Sequence, residues 1–461
     1  MTIFPRIAPL VIALLSSACM GVPKPPATVA PATATGAFAE LSAASIEPVP
    51  DDWWRLYDDA VLDELVRSAM AANADLRVAY ANLDSARAAL SQAQAVRLPQ
   101  TTIESALGVD SPASQPSASG NVPTTDYDMA ATASWDIDLF GRLRSASTAA
   151  HADAEAQAAI VDGLRVAVVA DTVLAYVDLC GSNGAIDAAR AVAAAQDRSV
   201  VLMREQLRAG EVSPLEVSQV ATIAAATRAA IAPFEAQRAN AQYRLATLQG
   251  RPPAEARNYS FACTTAPRLH AAAPVGDGTA LLLRRPDVRE AERRLAAAAA
   301  RVGVARADLY PRVNLGGAFG LLSGGFKAVA SPLVTWAFPN QAPARAKLEQ
   351  ARAAERAALA GWDVAVLRSL REVETALADY DAQTRRNRDL AMASAAAQAY
   401  ARRAGARVRL GDAPALLQVD AQRSLASATL QQIQSDLLVS QSEVALFRAL
   451  GGGWRSHAAP K

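Results

Sequence analysis

The sequence predicts a mainly helical protein with a membrane β-barrel part, built from two structural repeats that each supply two strands and several long helices. Three observations lead to this prediction. The segment 73–99 recurs without a gap as 285–311, two short alternating segments follow each copy, and heptad-like apolar spacing then continues over long stretches. We therefore expect the 461 residues to form one body with internal pseudo-symmetry.

The first residues resemble a bacterial lipoprotein signal. A positive residue and an apolar run over 7–15 are followed by small residues that lead to Cys19. We expect 1–18 to be the signal peptide, Cys19 to carry the lipid, and 19–58 to be a tether and linker. Met20 follows the cysteine where retention at the inner membrane would need aspartate, so the resemblance implies the outer membrane. Ordinary signal cleavage with an incidental free cysteine is the alternative.

The first repeat is predicted to span 59–250. Helical apolar spacing begins it, and Pro99 ends that helix. Two alternating segments around a loop rich in Ser, Pro and Gly predict strands, and a long helix then turns back near Gly210. The predicted elements are a helix at about 59–98, strands at about 101–110 and about 126–138, a long helix at about 142–208 and a returning helix at about 214–249.

The second repeat is predicted to span 279–454 and to follow the same plan, after a linker at 251–278 and before a C-terminal tail at 455–461. Its fourth strand is weaker because Pro332 interrupts the alternation. The predicted elements are a helix at about 279–310, strands at about 312–321 and about 330–338, a long helix at about 342–408 and a returning helix at about 414–450.

The predicted strands have one apolar and one polar face. Over about 10 residues this pattern is typical of a transmembrane barrel strand, with the apolar face toward lipid. A soluble sheet that buries its apolar face is the alternative. Four strands cannot close a barrel and an open sheet cannot lie in lipid, so two, three or four chains must contribute. A helix of roughly 100 Å beside such a barrel is long enough to cross a periplasm.

Charge and composition exclude several classes of function. Basic residues number 46 and acidic residues 45, with no basic stripe, which argues against nucleic acid as a partner. The three histidines share no metal-ligand spacing, and the chain has no nucleophile elbow or Walker motif. We therefore expect no catalytic residue, no metal site and no cofactor, and an extracellular hydrolase is disfavoured.

Two further cysteines form a candidate disulfide. If Cys19 is acylated, Cys180 and Cys263 remain as a pair in an oxidising compartment. Cys180 lies roughly 45 Å from the turn near Gly210, and the returning helix runs past it, so the segment after Gly250 can bring Cys263 back. Two separate buried thiols are the alternative.

Four motifs then occur in order along the chain: WDIDLFGR at 135–142, LRRPDVREAER at 283–293, LQVDAQRS at 417–424 and ALGGGW at 449–454. Together they resemble TolC-type outer-membrane factors, and more narrowly the NodT branch of lipoprotein channels that serve RND multidrug pumps. The resemblance implies a homotrimer with a twelve-stranded barrel and a helical periplasmic tunnel. It implies outer-membrane lipid, a periplasmic adaptor and an inner-membrane RND transporter as partners, and a passive export duct for drugs or other small molecules as the function.

The resemblance also implies a periplasmic gate. In related channels, side chains at the start of the helix after the second turn close this end, and the motif Asp-Ala-Gln-Arg selects Leu416, Asp420 and Arg423. Their spacing places them near one helix face. Around a threefold axis, Leu416 would form an apolar constriction and Asp420 a ring of like charges that attracts cations. The alternative is an i,i+3 surface ion pair between Asp420 and Arg423, worth a few tenths of a kcal/mol.

Two other functions fit part of this pattern. The exit duct of a type I protein-secretion system would have a similar tunnel and differ in the adaptor that docks to it. A periplasmic structural coiled-coil lipoprotein would use the long helices, but the strand alternation in both halves argues against it.

Overall fold

A computed structural model describes residues 22–30, 36–39, 44–110, 124–258, 261, 263–269, 271–322 and 325–452. Cys19, the predicted lipid-bearing residue, lies outside this part of the chain, as does Trp454. The chain divides into two compact units, and each gathers segments of both repeats. The first unit takes the described residues up to Val29 with Ala81–Ala159 and Arg289–Ala365, and the second takes Ala30–Tyr80, Ile160–Val288 and the described residues from Val366 onward.

The described helices and strands follow the predicted order. The α-helices are α1 (Ala60–Ala72), α2 (Ala74–Ala95), α3 (Arg142–Arg208), α4 (Pro214–Ala229), α5 (Ile231–Leu248), α6 (Gly278–Arg284), α7 (Pro286–Ala307), α8 (Ala342–Arg409) and α9 (Ala415–Ala449). The strands are β1 (Ala44–Ser45), β2 (Gln100–Asp110), β3 (Thr124–Ile137), β4 (Ala273–Pro274), β5 (Arg312–Leu322) and β6 (Gly325–Thr335). None of the helices in the described part of the chain combines the length and the apolar character needed to cross a membrane.

The first predicted helix of each repeat is in fact two helices, divided by a buried residue. Asn73 separates α1 from α2, and Arg285 separates α6 from α7. Both residues occupy the first position of the duplicated segment. The Asn73 side chain accepts a bond from the backbone N–H of Leu76 at 3.0 Å and so caps α2, whereas Pro286 begins α7 without an N–H to donate.

The same two residues bind the end of the helix that closes their own repeat. Nδ2 of Asn73 donates to the carbonyl of Leu248 at 3.2 Å, and Nη1 of Arg285 donates to the carbonyl of Ala449 at 2.7 Å. Both carbonyls belong to a last helical turn, where backbone acceptors have no helical partner. The repeat is therefore kept as a tertiary contact although the side chains differ.

Arg285 also gathers two carboxylates. Its guanidinium binds both oxygens of Asp287 at 2.8 and 2.7 Å and Glu372 of α8 at 2.7 Å, with the arginine side chain 10% exposed. Burial lowers the pKa of Arg285, but the bonds to Asp287 and Glu372 outweigh it and the pKa is raised. Burial raises the pKa of Glu372, but Arg285 and Arg368 outweigh that effect and the pKa is lowered. The guanidinium of Arg285 and the carboxylates of Asp287 and Glu372 thus stabilise one another in their charged forms.

The returning helix of the first repeat is broken where one helix was predicted. α4 ends at Ala229 and α5 begins at Ile231. Pro233 lies in the first turn of α5, and its missing N–H cannot bond the carbonyl of Ala229. α9, which has no internal proline, is continuous as predicted.

The turns that end the long helices have the predicted glycine caps. Gly210 and Gly411 adopt φ of +76° and +72°, in the left-handed region that glycine tolerates. After α3, Gly210 donates to the carbonyl of Leu207 and Glu211 donates to the carbonyl of Gln206. The equivalent two bonds end α8, so both tips are closed by the same motif.

The sheet of the first unit is antiparallel, with the order β2-β3-β5-β6. Its register places Ile103 opposite Ala131 and Ala131 opposite Phe319, so the apolar rows of the strands share one face. Ile103 is 73% exposed, Phe319 60% and Phe326 76%. Within the described residues no other element covers this face.

Strand β6 begins five residues earlier and ends three residues earlier than the predicted strand at about 330–338. The prediction treated Pro332 as an interruption, whereas the structure pairs Pro332 with Leu315 inside the strand. β6 is an edge strand among the described strands. An edge strand tolerates proline because the missing N–H need not remove a ladder bond.

The WDIDLFGR motif forms the junction between β3 and α3. The Asp138 carboxylate accepts bonds from the backbone N–H groups of Leu143 at 3.0 Å and Arg144 at 2.8 Å, at the start of α3. Asp136 pairs with Arg142 at 2.6 Å across the same junction. The motif therefore caps the N-terminus of α3, and in doing so it sets the residue at which β3 ends.

A tryptophan in each repeat binds the turn before the sheet. Nε1 of Trp135 donates to the carbonyl of Arg97 at 3.0 Å, and Nε1 of Trp336 donates to the carbonyl of Leu309 at 3.2 Å. Arg97 and Leu309 are equivalent positions of the duplicated segment. The two tryptophans therefore make equivalent contacts in the two repeats, although sequence comparison of the repeats does not align them.

We expect Arg285→Ala to lower the free energy of unfolding by about 1–3 kcal/mol, because it removes the charge-assisted bonds to Asp287 and Glu372 and leaves the carbonyl of Ala449 without its donor. Denaturant unfolding of the detergent-solubilised protein measures the change. Arg352→Ala is the matched control, since Arg352 is 49% exposed and pairs inside α8 with Glu349, which is 63% exposed. The control should cost less than about 1 kcal/mol. Equal losses in the two variants would contradict the structural role of Arg285.

Candidate functional site

The three predicted gate residues lie in the first turns of α9. Leu416 is 46% exposed, and the side chains of Asp420 and Arg423 are 49% and 67% exposed. Val419, beside them on the helix surface, is buried in a small core with Val220 of α4 and lines the same groove. α9 therefore presents the gate residues on a face that its own chain leaves accessible.

These residues line a groove of about 600 Å³ between α4 and α9. Leu416, Asp420 and Arg423 form the α9 side, and Gln219 and Ile223 form part of the α4 side. Gln219 is the uncharged first-repeat position that corresponds to the gate. The groove thus combines one apolar and one charged element from the second repeat with neutral side chains from the first.

Asp420 has two partners in the chain. Its carboxylate pairs with Nη2 of Arg423 at 3.2 Å and accepts a bond from the Tyr400 hydroxyl at 3.2 Å. The ion pair is the i,i+3 surface pair that the spacing also allows. Exposed pairs of this kind contribute about 0.2–1 kcal/mol to the free energy of unfolding. The pair between Asp420 and Arg423 therefore adds little to the stability of the chain.

Tyr400 was not identified from the sequence, although a signal for it exists. It lies eleven residues before Gly411, and Asp420 lies nine residues after it. Antiparallel helices that meet at a short turn place residues at nearly equal distances from the turn side by side. Pairing residues around Gly411 would have found the contact.

The structure joins Cys180 and Cys263 in a disulfide, with their Cα atoms 5.1 Å apart. Cys180 lies on α3 and is fully buried. Nδ2 of Asn183, one turn further along α3, donates to the carbonyl of Cys263 at 3.0 Å. The linker between the repeats is thereby fixed against α3.

Glu443 is a buried titratable group that the sequence analysis missed. It lies on α9 and is 3% exposed. Burial raises its pKa to about 7, although the backbone N–H of Leu269, the charge of Arg268 and the Tyr57 hydroxyl each act to lower it. The sequence held a signal, because Phe447, four residues further along, is buried on the same helix face.

The described residues contain no group of three or more His, Cys, Asp or Glu side chains placed to hold a metal ion. The groove that the predicted gate residues line offers the carboxylate of Asp420 and the guanidinium of Arg423 on an exposed surface. Such a set can attract ions or pair with another charged surface.

Comparison with known proteins gives a consistent result. The sequence profile described as outer membrane efflux protein matches residues 65–251 and 279–452. The chain is 29% identical over 469 residues to the probable efflux pump outer membrane protein SepC of Pseudomonas putida, with 96% of each chain covered. It is 27% identical over 386 residues to nodulation protein T of Rhizobium leguminosarum bv. trifolii, with 81% of each covered. The solved structure of the outer-membrane channel OprN superposes with a TM-score of 0.85 at 33% identity, covering 93% of this chain and 99% of that one.

We expect Glu443→Gln to alter the pH dependence of stability. The pKa of Glu443 in the folded chain, about 7, lies above its ordinary 4.5, so its ionised form costs stability above about pH 7. This cost disappears as the pH falls from about 7 toward 4.5. Wild type should therefore gain thermal stability relative to the variant between about pH 8 and 5. Parallel curves of melting temperature against pH would show that Glu443 does not titrate there.

Proposed function

The chain belongs to the outer membrane efflux protein family, and from this premise we propose that it is the outer-membrane channel subunit of a tripartite RND-type efflux pump. The protein lies in the outer membrane and extends into the periplasm, and it is a passive duct through which drugs or other small molecules leave the cell. The single observation that carries the proposal is the exposed apolar face of the four-stranded sheet, centred on Ile103 and Phe319.

This face suits lipid only in a closed assembly. β2 and β6 are the edges of the sheet among the described strands. An open edge in hydrocarbon leaves backbone N–H and C=O groups without partners, each at a cost of several kcal/mol. Three copies joined edge to edge supply twelve strands and satisfy both edges of every chain. Since two or four copies would also close the edges, the family's trimeric assembly is what leads us to propose a homotrimer.

The proposed partners are a periplasmic adaptor and an inner-membrane RND transporter. Members of this family act as trimers with such partners. SepC is named for an efflux pump. Relatives of this kind favour export of small molecules over the exit duct of a type I protein-secretion system.

We assign the periplasmic gate to Leu416, Asp420 and Arg423. Their common exposed face supports this role, since Leu416 is 46% exposed and the side chains of Asp420 and Arg423 are 49% and 67% exposed. Three copies around an axis would bring three Leu416 side chains together as a constriction. Three Asp420 carboxylates would form a ring that favours cations.

We also retain the lipid anchor at Cys19. Pro23, four residues further along, lies against α7 and α3 of the first unit: a Cβ added to Gly303 would be 2.7 Å from Cδ of Pro23 and 2.6 Å from Oγ of Ser145. Ser145 lies in the first turn of α3, just after β3, and Gly303 lies shortly before β5. Pro23 therefore lies beside the ends of the strands, which supports a lipid anchor four residues earlier in the chain.

Planar-bilayer conductance tests the function, with the mass in detergent determined on the same sample. We expect a trimer that gives low-conductance, cation-preferring openings, and a subunit mass that includes acyl chains on Cys19. A protein that stays in solution without detergent and inserts no pore would contradict the proposal.

We expect Asp420→Ala, alone or with Arg423→Ala, to raise single-channel conductance, because it removes the bonds from Asp420 to Tyr400 and Arg423 that hold the proposed gate and leaves the helices intact. Asp412→Ala is the matched control: Asp412 is an exposed acid at the tip that pairs with Arg407. Trimer mass should be unchanged in all variants. Unchanged conductance in assembled Asp420→Ala trimers would remove the gate assignment.

A further inference from the structure

The segment 263–269, here called the strap, crosses from α3 to α9 without regular secondary structure. Its first residue is joined to α3 through the disulfide between Cys263 and Cys180, and the Asn183 side chain donates to the carbonyl of Cys263 at 3.0 Å. One end of the strap is therefore fixed covalently.

Two glycines of α3 allow the close approach of the strap and of α9. A Cβ at Gly184 would lie 2.0 Å from the carbonyl oxygen of Thr264. A Cβ at Gly181 would lie 2.6 Å from Cδ1 of Leu437 on α9 and 3.6 Å from Cβ of Ala266. Any larger side chain at these positions would push the strap or α9 away from α3.

The other end of the strap is held by charges. Nη2 of Arg268 pairs with Oδ1 of Asp436 on α9 at 3.0 Å, and Nδ2 of Asn387 on α8 donates to the same oxygen at 2.8 Å. The backbone N–H of Leu269 donates to Oε2 of Glu443 at 3.4 Å. The strap thus has a covalent anchor on α3 and ionisable anchors on α9.

Glu443 is poised between its two protonation states. The groups that face it are Arg268 from the strap, Tyr57 from the 3₁₀ helix Trp53–Tyr57 and Tyr380 from α8. Burial favours the protonated acid, whereas the strap N–H and Arg268 favour the carboxylate. Both forms are therefore populated near neutral pH.

We propose that the strap is a pH-sensitive brace: ionised Glu443 holds Leu269 against α9, and protonation releases Leu269 while Arg268 keeps its pair with Asp436 and the disulfide keeps Cys263 on α3. A proton from solvent adds to the carboxylate, and no covalent bond of the strap changes. The charge-assisted bond from Leu269 weakens when its acceptor becomes neutral. α9 keeps a contact with α3, because Nε2 of Gln441 donates to Asp178 at 2.6 Å, so protonation of Glu443 removes one of several contacts that hold α9.

Release of the brace also bears on the channel. α9 carries Asp436 and Glu443 near one end and Leu416 and Asp420 at the other. Loosening the brace gives this helix more freedom, and conductance should rise on acidification. This last step rests on the proposed function, whereas the release itself does not.

Hydrogen exchange of the full-length, detergent-solubilised protein tests the brace, with peptides covering 263–269 followed at about pH 8 and about pH 6. We expect the protection factor of the Leu269 amide, corrected for the intrinsic rate at each pH, to fall about tenfold at the lower pH, the change equivalent to one pKa unit of lost interaction. Equal protection at the two pH values would overturn the proposal.

Variants assign the effect to Glu443. Glu443→Gln should show the low protection at both pH values, because glutamine is neutral throughout. Glu235→Gln is the matched control, since Glu235 pairs with Arg190 between α5 and α3 at an exposed site away from the strap. It should behave like wild type. Retention of the pH effect in Glu443→Gln would also overturn the brace.

Conductance at the same two pH values separates the brace from the channel. A rise at low pH that Glu443→Gln abolishes would support both. If the strap is released at low pH but the protein forms no pore, the proposal for the brace stands and the proposed function is contradicted. Strap release with pH-independent conductance would overturn the coupling between the brace and the gate.

Discussion

The rest of the structure depends on one constraint: the backbone N–H and C=O groups of the four-stranded sheet all need hydrogen-bond partners. Its apolar face, with Ile103 and Phe319, is exposed, and its outer strands β2 and β6 have open edges among the described residues. A sheet of this kind lies in hydrocarbon only when every backbone group has a partner. The chain is therefore incomplete by itself, and the need for further copies follows from hydrogen bonding alone.

The two repeats show how an ancestral plan persists after most of its letters have changed. Asn73 and Arg285 occupy equivalent helix breaks and each binds the last turn of its repeat's closing helix, one as an amide and one as a guanidinium. Trp135 and Trp336 bind equivalent carbonyls before the strands. What each repeat conserves is the need to satisfy a helix end, and different side chains can do so.

The gate and the buried acid illustrate different limits of prediction. A motif placed Leu416, Asp420 and Arg423, and their helical spacing was enough to put them on one face. Tyr400 reaches Asp420 from another helix, so its contact depends on how the chain turns at Gly411. Glu443 is unusual only because of what surrounds it, and burial is a property of the packed structure.

The sequence by itself determined the order and type of the elements, the glycine caps of the long helices and the alternation of the strands, because these follow from local periodicity and backbone preference. Only the tertiary structure decided the rest. The breaks at Asn73 and Arg285 depend on distant carbonyls, and Pro332 stays inside β6 because the strand pairs there with Leu315 of β5. The strap joins α3 to α9 through contacts between residues far apart in the chain, which no local pattern encodes.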